Sequence, residues 1–379
     1  MADKTSGGDN NVMDFVTLSE GPSGRPAGTK QQNDKGVPLA AGIKRYGITG
    51  LQALMVGMGQ PAYRADQLIE WLYGRAVASY DEMTNIPASL RDSLKESQPL
   101  DKPEVISKSV SADGTRKYLL KLADGAKIET VAIPDRSRLT VCFSTQVGCG
   151  MACTFCATGR LGLIRQLGPG EIVDQLAIAS EDFGQRVTNA VAMGEGEPFA
   201  NYSATLDALR LMNHPKGLNI GARHITVSTA GVIPGIMAFA AEPEQFRLAV
   251  SLHSANQAMR DTLMPGLTAY SLTALQHTLI SYGQAVGRRV SLEYVLIDGV
   301  NDTEEAVFEL ITFCSELNCH VNLINLNVIG ADPDYFIPTA PAKAREIRSQ
   351  LRAAGIETSL RRSRGVDIAG ACGQLAGEQ

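Results

Sequence analysis

Cys149, Cys153 and Cys156 stand in the run Gly-Cys-Gly-Met-Ala-Cys-Thr-Phe-Cys-Ala-Thr-Gly, a C-x3-C-x2-C spacing. Three thiolates on one short loop can hold three irons of a [4Fe–4S] cube. The fourth iron then lacks a protein ligand, and the amino and carboxylate groups of S-adenosylmethionine can chelate it. Reduction of that complex cleaves the sulfonium and makes a 5′-deoxyadenosyl radical, so the loop predicts one-electron chemistry on unreactive C–H bonds. Two plainer readings compete. A structural zinc site wants four ligands, often as two separated pairs, and no local fourth ligand follows these cysteines; His224 and His253 are distant. Cysteines can also be inert packing residues. A disulfide framework belongs to small secreted chains.

Other residues could serve the same chemistry. Met193-Gly-Glu-Gly-Glu-Pro198 follows an apolar strand, and Gly196 with Glu197 is the expected clamp on a methionine amino group. Ser228, Ser251-Leu252-His253 and Asn327 each fall at the end of a later strand. Small polar groups on one rim can bind ribose hydroxyls, a carboxylate or an adenine edge, although each alone also suits an ordinary turn. Cys372 is a lone late cysteine with Arg361, Arg362 and Arg364 upstream, whose charge could lower a thiol pKa and attract phosphates. Cys142 is too far from the cysteine run to be a local fourth ligand, Cys314 and Cys319 read as packing residues, and His320 as structural.

These residues need a scaffold that gathers strand ends. From Leu139 onward, strand candidates Thr140–Phe143, Ala190–Met193, Ile225–Val227, Leu248–Leu252, Val290–Leu296, Val321–Leu326 and Glu357–Leu360 alternate with helical stretches such as Gly170–Phe183, Leu272–Val286 and Glu304–Leu317. That rhythm predicts an α/β fold, an incomplete (β/α)6 barrel with its chemistry at the C-terminal strand ends. Upstream, Val105–Val110, Arg116–Leu122 and Ala126–Ile133 read as a short antiparallel meander, with turns at Asp113-Gly114 and Asp124-Gly125. Tyr46 to about Ser97 is helical in pattern; Tyr63, Leu68, Trp71 and Leu72 fall near one face, and Pro87 opens a helix. The expected division is a disordered tail over 1–40, a helical accessory module over 41–100, a meander linker over 101–134, the barrel core over 135–367 and a C-terminal segment over 368–379.

Composition sets limits. The chain has 379 residues, 44% hydrophobic and 20% charged, enough for a sizeable core. No apolar run is long enough to span a membrane and no secretory signal is evident, so a reducing, cytoplasmic location is expected. The net charge of −5 gives no global attraction to nucleic acid. Any RNA contact must use local basic surface, for which the helical module near Trp71 and the Arg361–Arg364 segment are the expected sites.

With these residues in view, the sequence resembles the RlmN/Cfr family of radical SAM RNA methyltransferases over roughly residues 45 to 376. The marks are Tyr63-Arg-Ala-Asp-Gln-Leu, Trp71-Leu-Tyr-Gly-Arg, Lys127-Ile-Glu-Thr-Val-Ala-Ile-Pro, Leu139-Thr-Val-Cys-Phe-Ser-Thr-Gln-Val-Gly-Cys, Gly-Glu-Gly-Glu-Pro, Ser-Leu-His-Ser-Ala-Asn and Ala371-Cys-Gly-Gln-Leu. The resemblance implies methylation of adenosine C2 in large-subunit rRNA near the peptidyl-transferase centre and in certain tRNAs. It implies a [4Fe–4S] cluster, two S-adenosylmethionine molecules per turnover, an electron donor such as flavodoxin or ferredoxin, and a monomer. By the same resemblance Cys372 takes a methyl group from one S-adenosylmethionine, and the radical from the second removes a hydrogen from that S-methyl. The methylene radical adds to adenine C2. Cys142 resolves the protein–RNA adduct through a transient disulfide with Cys372, and Glu129 accepts a proton. Methylation at C8 and a non-catalytic iron–sulfur RNA-binding or redox protein are the alternatives. The family often has Gly-Met-Gly-Glu-Pro and Asn-Pro-Phe where this chain has Gly194-Glu195-Gly196-Glu197-Pro198 and Asn327-Val328-Ile329.

Overall fold

The computed structural model describes residues 42–329 and 336–375. The tail expected over 1–40 and the last four residues of the C-terminal segment lie outside the described residues. Strands β1 (Glu104–Val110), β2 (Arg116–Lys121) and β3 (Lys127–Asp135) form the expected meander. Its turns are made as the sequence indicates. The Asp113 and Asp124 carboxylates accept the amides of Thr115 and Ala126 at 3.0 and 3.1 Å, while Gly114 and Gly125 take positive φ.

The meander is not a linker. β3 pairs antiparallel with β4 (Arg138–Cys142), Val131 opposite Cys142, so the meander's three strands continue into the ten-stranded sheet. A small hairpin follows, β5 (Gln146–Gly148) with β6 (Leu163–Gln166), flanking the cysteine run. β4 then pairs parallel with β7 (Asn189–Ala192), and β8 (Ile225–Thr229), β9 (Arg247–Ser251), β10 (Val290–Leu296), β11 (Cys319–Asn325) and β12 (Glu357–Arg361) continue in parallel. The ten-stranded order is β1-β2-β3-β4-β7-β8-β9-β10-β11-β12. β12 does not return to β4, so the parallel part is an open barrel. Each expected strand from Thr140 onward is present within two residues of its expected limits. Helices Pro169–Phe183, Leu272–Val286 and Glu304–Cys314 lie between strands; the latter two start on Ser271 and Thr303, whose hydroxyls accept the amides of Ala274 and Ala306.

The N-terminal part is helical over Ile48–Gly57, Arg64–Ile69 and Ala88–Ser97. Leu68, Trp71 and Leu72 are buried, whereas Tyr63 is 59% exposed. Tyr63 precedes the first helical residue and so escapes the helix period; the Arg64 guanidinium stacks over its ring instead. Trp71 donates its indole N–H to Asn85 Oδ1 at 2.6 Å, and Arg75 lies 4.2 Å over the ring. Trp71 itself is thus a core residue of the module expected to contact RNA. Leu51, Leu68 and Leu90 belong to the same apolar cluster as Val141, Leu248 and Leu323 of the barrel. The buried pair Lys44–Asp174, 2.6 Å, ties module to barrel.

Candidate active site

Parallel strands of an open barrel end on one rim. There a cavity of about 970 Å³ is lined by Cys149, Cys153 and Cys156 from the loop after β4, and by Gly196 and Glu197 after β7. Ser228 of β8, Ser251 and His253 of β9, Glu293 of β10, Asn327 after β11, Arg361 of β12 and Cys372 complete the wall that matters chemically. Ten expected residues therefore meet there: Cys149, Cys153, Cys156, Gly196, Glu197, Ser228, Ser251, His253, Asn327 and Cys372. Leu252, Cys142 and Glu129 do not line this cavity. Leu252 is fully buried in the main core, because strand alternation sends it to the face opposite Ser251 and His253.

The cysteine loop is held from three sides. Cys149 N–H donates to Gly162 O at 2.9 Å across the hairpin. The amide of Thr154 donates to Leu263 O, and Met151 O accepts from Gly266 N. From the C-terminal segment, Gly373 O accepts Ala157 N–H at 2.8 Å and Leu375 O accepts the Thr158 hydroxyl at 2.6 Å. Burial pushes all three thiols up, so thiolates form there only beside a compensating cation. Among the described residues no three His, Cys, Asp or Glu side chains converge on a point suited to one metal ion. A cube that takes one thiolate per iron needs no such convergence, so the donor set suits a cluster better than a single zinc.

Glu197 is only partly available as a clamp. Its carboxylate accepts Thr229 Oγ1–H (2.7 Å), Phe199 N–H (2.9 Å) and Ala230 N–H (2.6 Å). Of the roughly four acceptor sites of a carboxylate, one is left for a ligand. Gly196 has φ +100, and a Cβ there would stand 2.6 Å from Gln146 Cβ and Cγ, so the close approach requires glycine. His253 Nδ1 accepts Val295 N–H at 3.0 Å, and Phe155 meets its ring edge-on at 4.8 Å. Burial drives the imidazole pKa down to about 3, so it is neutral and offers its other N–H. Asn327 donates to Cys372 O at 3.0 Å; it holds the C-terminal loop as well as lining the cavity.

A smaller pocket adjoins the first, walled by Cys142, Met193, Arg361, Arg364, Ala371, Cys372 and Leu375 among others. Cys372 lines both spaces; Cys142 lines only the smaller one, and the cluster cysteines only the larger. Arg361 shares this wall with Cys372, whose sulfur is the chief cause of a raised Arg361 pKa. Burial first, and Cys372 second, push the Cys142 thiol up, with Arg361 opposing. All seven cysteines are free, so no disulfide joins Cys142 to Cys372. Glu129, on the same face of β3 as Val131, accepts an ion pair from Lys117 at 2.7 Å. Arg364 lies 3.8 Å from Asp113. Cys314 is buried as expected and hydrogen-bonded to Cys319.

Sequence reasoning missed Glu195, Glu293 and Arg260. Glu195 is 2% exposed and accepts Glu129 N–H at 2.7 Å and Gly148 N–H at 3.4 Å, joining β3 to the strand before Cys149. Burial raises its carboxyl to about 7. Its signal was the second carboxylate of Gly-Glu-Gly-Glu-Pro. Glu293 is a lone charge in the apolar strand Val290–Leu296, a pattern that marks a functional or paired residue.

Two family models match the chain: "Ribosomal RNA large subunit methyltransferase N-terminal domain" over residues 45–99 and "Radical SAM superfamily" over residues 143–311. The "Probable dual-specificity RNA methyltransferase RlmN" of Gemmatimonas aurantiaca is 46% identical over 86% of this chain and 89% of its own. The protein of the same name from Geobacillus kaustophilus is 42% identical over 94% of this chain and 97% of its own. The chain belongs to the RlmN family of radical SAM RNA methyltransferases. A crystal structure of a radical SAM methyltransferase from Sphaerobacter thermophilus superimposes with a TM-score of 0.83 at 42% identity, covering 89% of this chain and all of that one. The family implies a [4Fe–4S] cluster and S-adenosylmethionine, which the cysteine loop and cavity fit. Among the described residues no helix is long and apolar enough to cross a membrane.

Proposed function

We propose that this enzyme methylates C2 of an adenosine in large-subunit rRNA and in certain tRNAs, using Cys372 as the methyl carrier. The observation that carries the reading is the place of Cys372, on the wall common to the cluster cavity and the Cys142 pocket. When bound at Cys149, Cys153 and Cys156, the cluster with S-adenosylmethionine supplies a 5′-deoxyadenosyl radical. Cys372 Sγ takes a methyl group, with Arg361 on the same pocket wall. Asn327, Gln374 and Thr158 pin the loop: Gln374 Nε2 donates to Val328 O at 2.8 Å. Cys142, which shares the smaller pocket with Cys372, attacks its Sγ: the S–S bond forms as the S–CH2 bond breaks, and the electron pair leaves with the carbon, which takes a proton to become the adenine's methyl group. Glu129, two residues from Val131 on β3, is the proton acceptor; Lys117 and the Glu195-bound backbone fix it. Glu197, Ser228, Ser251, His253 and Asn327 bind S-adenosylmethionine, of which two are used per turnover. A flavodoxin- or ferredoxin-type donor and a cytoplasmic monomer complete the reading.

The test is the mass of the Cys372-containing peptide from protein expressed with and without Cys149, Cys153 and Cys156. A methyl or methylene remnant on Cys372 is expected in the wild type, and mapping of modified RNA should place the methyl group at C2. Unmodified Cys372 together with methylated RNA would remove Cys372 from the pathway. Methylation at C8 would overturn the regiochemistry alone.

A further inference from the structure

Arg260 is 1% exposed, the largest fully buried side chain among the described residues. It sits in the helix Gln257–Leu263, which the Ser251–Asn256 turn introduces at the end of β9. One nitrogen, Nη2, donates to Ala230 O at 2.6 Å, and Nε has no partner. Among the described residues no carboxylate lies within ion-pair distance of it. A buried guanidinium without an anion is costly, and it stays charged at any accessible pH. The fold nevertheless makes room for it: Gly231 has φ +114, and a Cβ there would stand 2.9 Å from Arg260 Nη2.

The missing anion is indicated by what surrounds the helix. Leu263 O takes Thr154 N–H at 3.0 Å, and Gly266 N–H donates to Met151 O at 3.0 Å. The helix is therefore bonded to the cysteine loop on both sides of Cys153, and Cys153 packs against the apolar cluster that contains Leu263 and Met264. Burial lowers the Arg260 pKa, and the nearby Cys153 sulfur opposes this first and Asp261 second. Arg260 does not line the cavity, so it does not touch a ligand bound there.

We propose that Arg260 is the fixed counter-cation of the iron–sulfur cluster, a positioning residue that acts through its field on the Cys153 side. The proposal rests on the cluster reading above. A cube held by three thiolates is anionic and gains a further negative charge when reduced, and cluster potentials follow local charge, hydrogen bonding and solvent exposure. A buried cation in low dielectric favours the reduced form and strengthens retention of the thiolate-bound cluster.

The experiment uses full-length protein reconstituted anaerobically, with iron content measured and the cluster titrated by EPR in the absence of S-adenosylmethionine. Arg260→Gln keeps a donor for Ala230 O and drops only the charge; Arg260→Lys keeps the charge. The Gln variant should show a lower midpoint, with the reduced-to-oxidised ratio at fixed poise down about tenfold, which for a one-electron couple is about 59 mV. The Lys variant should stay near wild type. Equal midpoints for wild type and Gln variant would overturn the proposal while leaving the cluster in place. If the Gln variant takes up no iron, retention in the Lys variant supports the proposal. Loss in both makes the guanidinium's fit the requirement and overturns it. S-adenosylmethionine affinity should be unchanged in the Gln variant; weaker binding at an unchanged midpoint would reassign Arg260 to the ligand's carboxylate. A wild-type protein that takes up no iron sinks the cluster reading and this proposal together.

Discussion

Cys372 and Cys142 differ in exposure to the cluster side, and their substitutions should fail differently. On the proposed route, a Cys372→Ala protein has no methyl carrier. With Cys142→Ala, transfer to adenine proceeds but no thiol is placed to break the thioether. That variant should accumulate as a covalent RNA adduct on denaturing gels, removed by ribonuclease, whereas Cys142→Ala/Cys372→Ala should not. Normal turnover by Cys142→Ala without adduct would reduce Cys142 to a packed strand residue. Glu195 makes a different prediction. Its folded-state carboxyl sits near 7 against an ordinary 4.5, raised by burial. The native state therefore binds more protons than the unfolded one between these values. The contribution of Glu195 to stability is full below about 4.5 and is lost as pH rises through 7. Glu195→Gln apoprotein should gain on wild type across that window by up to about 3 kcal/mol, then level off; a flat difference in Tm from pH 4.5 to 8 would contradict this. Thiols were legible in the sequence because C-x3-C-x2-C has few structural uses. Glu195 and Arg260 were not, since a charge looks solvated until burial is known.

At the scale of elements, the decisive contact is the C-terminal segment closing on the cysteine loop. Thr158 Oγ1 to Leu375 O and Gln374 Nε2 to Val328 O fasten it. The double variant Thr158→Val/Gln374→Ala removes both bonds, worth about 1 kcal/mol each. It should retain its iron yet methylate Cys372 at least about tenfold more slowly, read by peptide mass against time. An unchanged rate would mean that the Asn327–Cys372 bond and the backbone bonds suffice to hold the loop. The buried pair Lys44–Asp174 at the module–barrel junction should matter to stability instead. Lys44→Met strands a buried carboxylate and should cost about 3 kcal/mol in denaturant unfolding; a loss below about 1 kcal/mol would show Asp174 neutral in the fold. The parallel strands could be read from their apolar runs. The β5–β6 hairpin could not: both strands are short, and β5 ends in the glycine that precedes Cys149, so neither shows a period.

For the whole molecule, a net charge of −5 confines RNA binding to local surface. Trp71 is buried inside the module expected to contact RNA, and in the Arg361–Arg364 segment Arg361 lines the Cys372 pocket while Arg362 is exposed and Arg364 partly so. Binding should still weaken with salt, by about tenfold or more between roughly 50 and 200 mM, because phosphate contacts release counterions. Salt-independent affinity would require recognition through bases alone. The barrel and its mouth were predictable from strand–helix alternation; the fusion of meander, barrel and helical module into one core was not, since pairing partners and shared packing are tertiary facts. The account as a whole turns on the carbon passing through Cys372. Its most direct test is turnover with S-adenosylmethionine carrying a fully deuterated methyl group, with mass analysis of the modified adenosine. Passage through a Cys372 methylene predicts a product methyl with two deuteriums and one exchangeable-source hydrogen; a methyl that keeps all three deuteriums would contradict it.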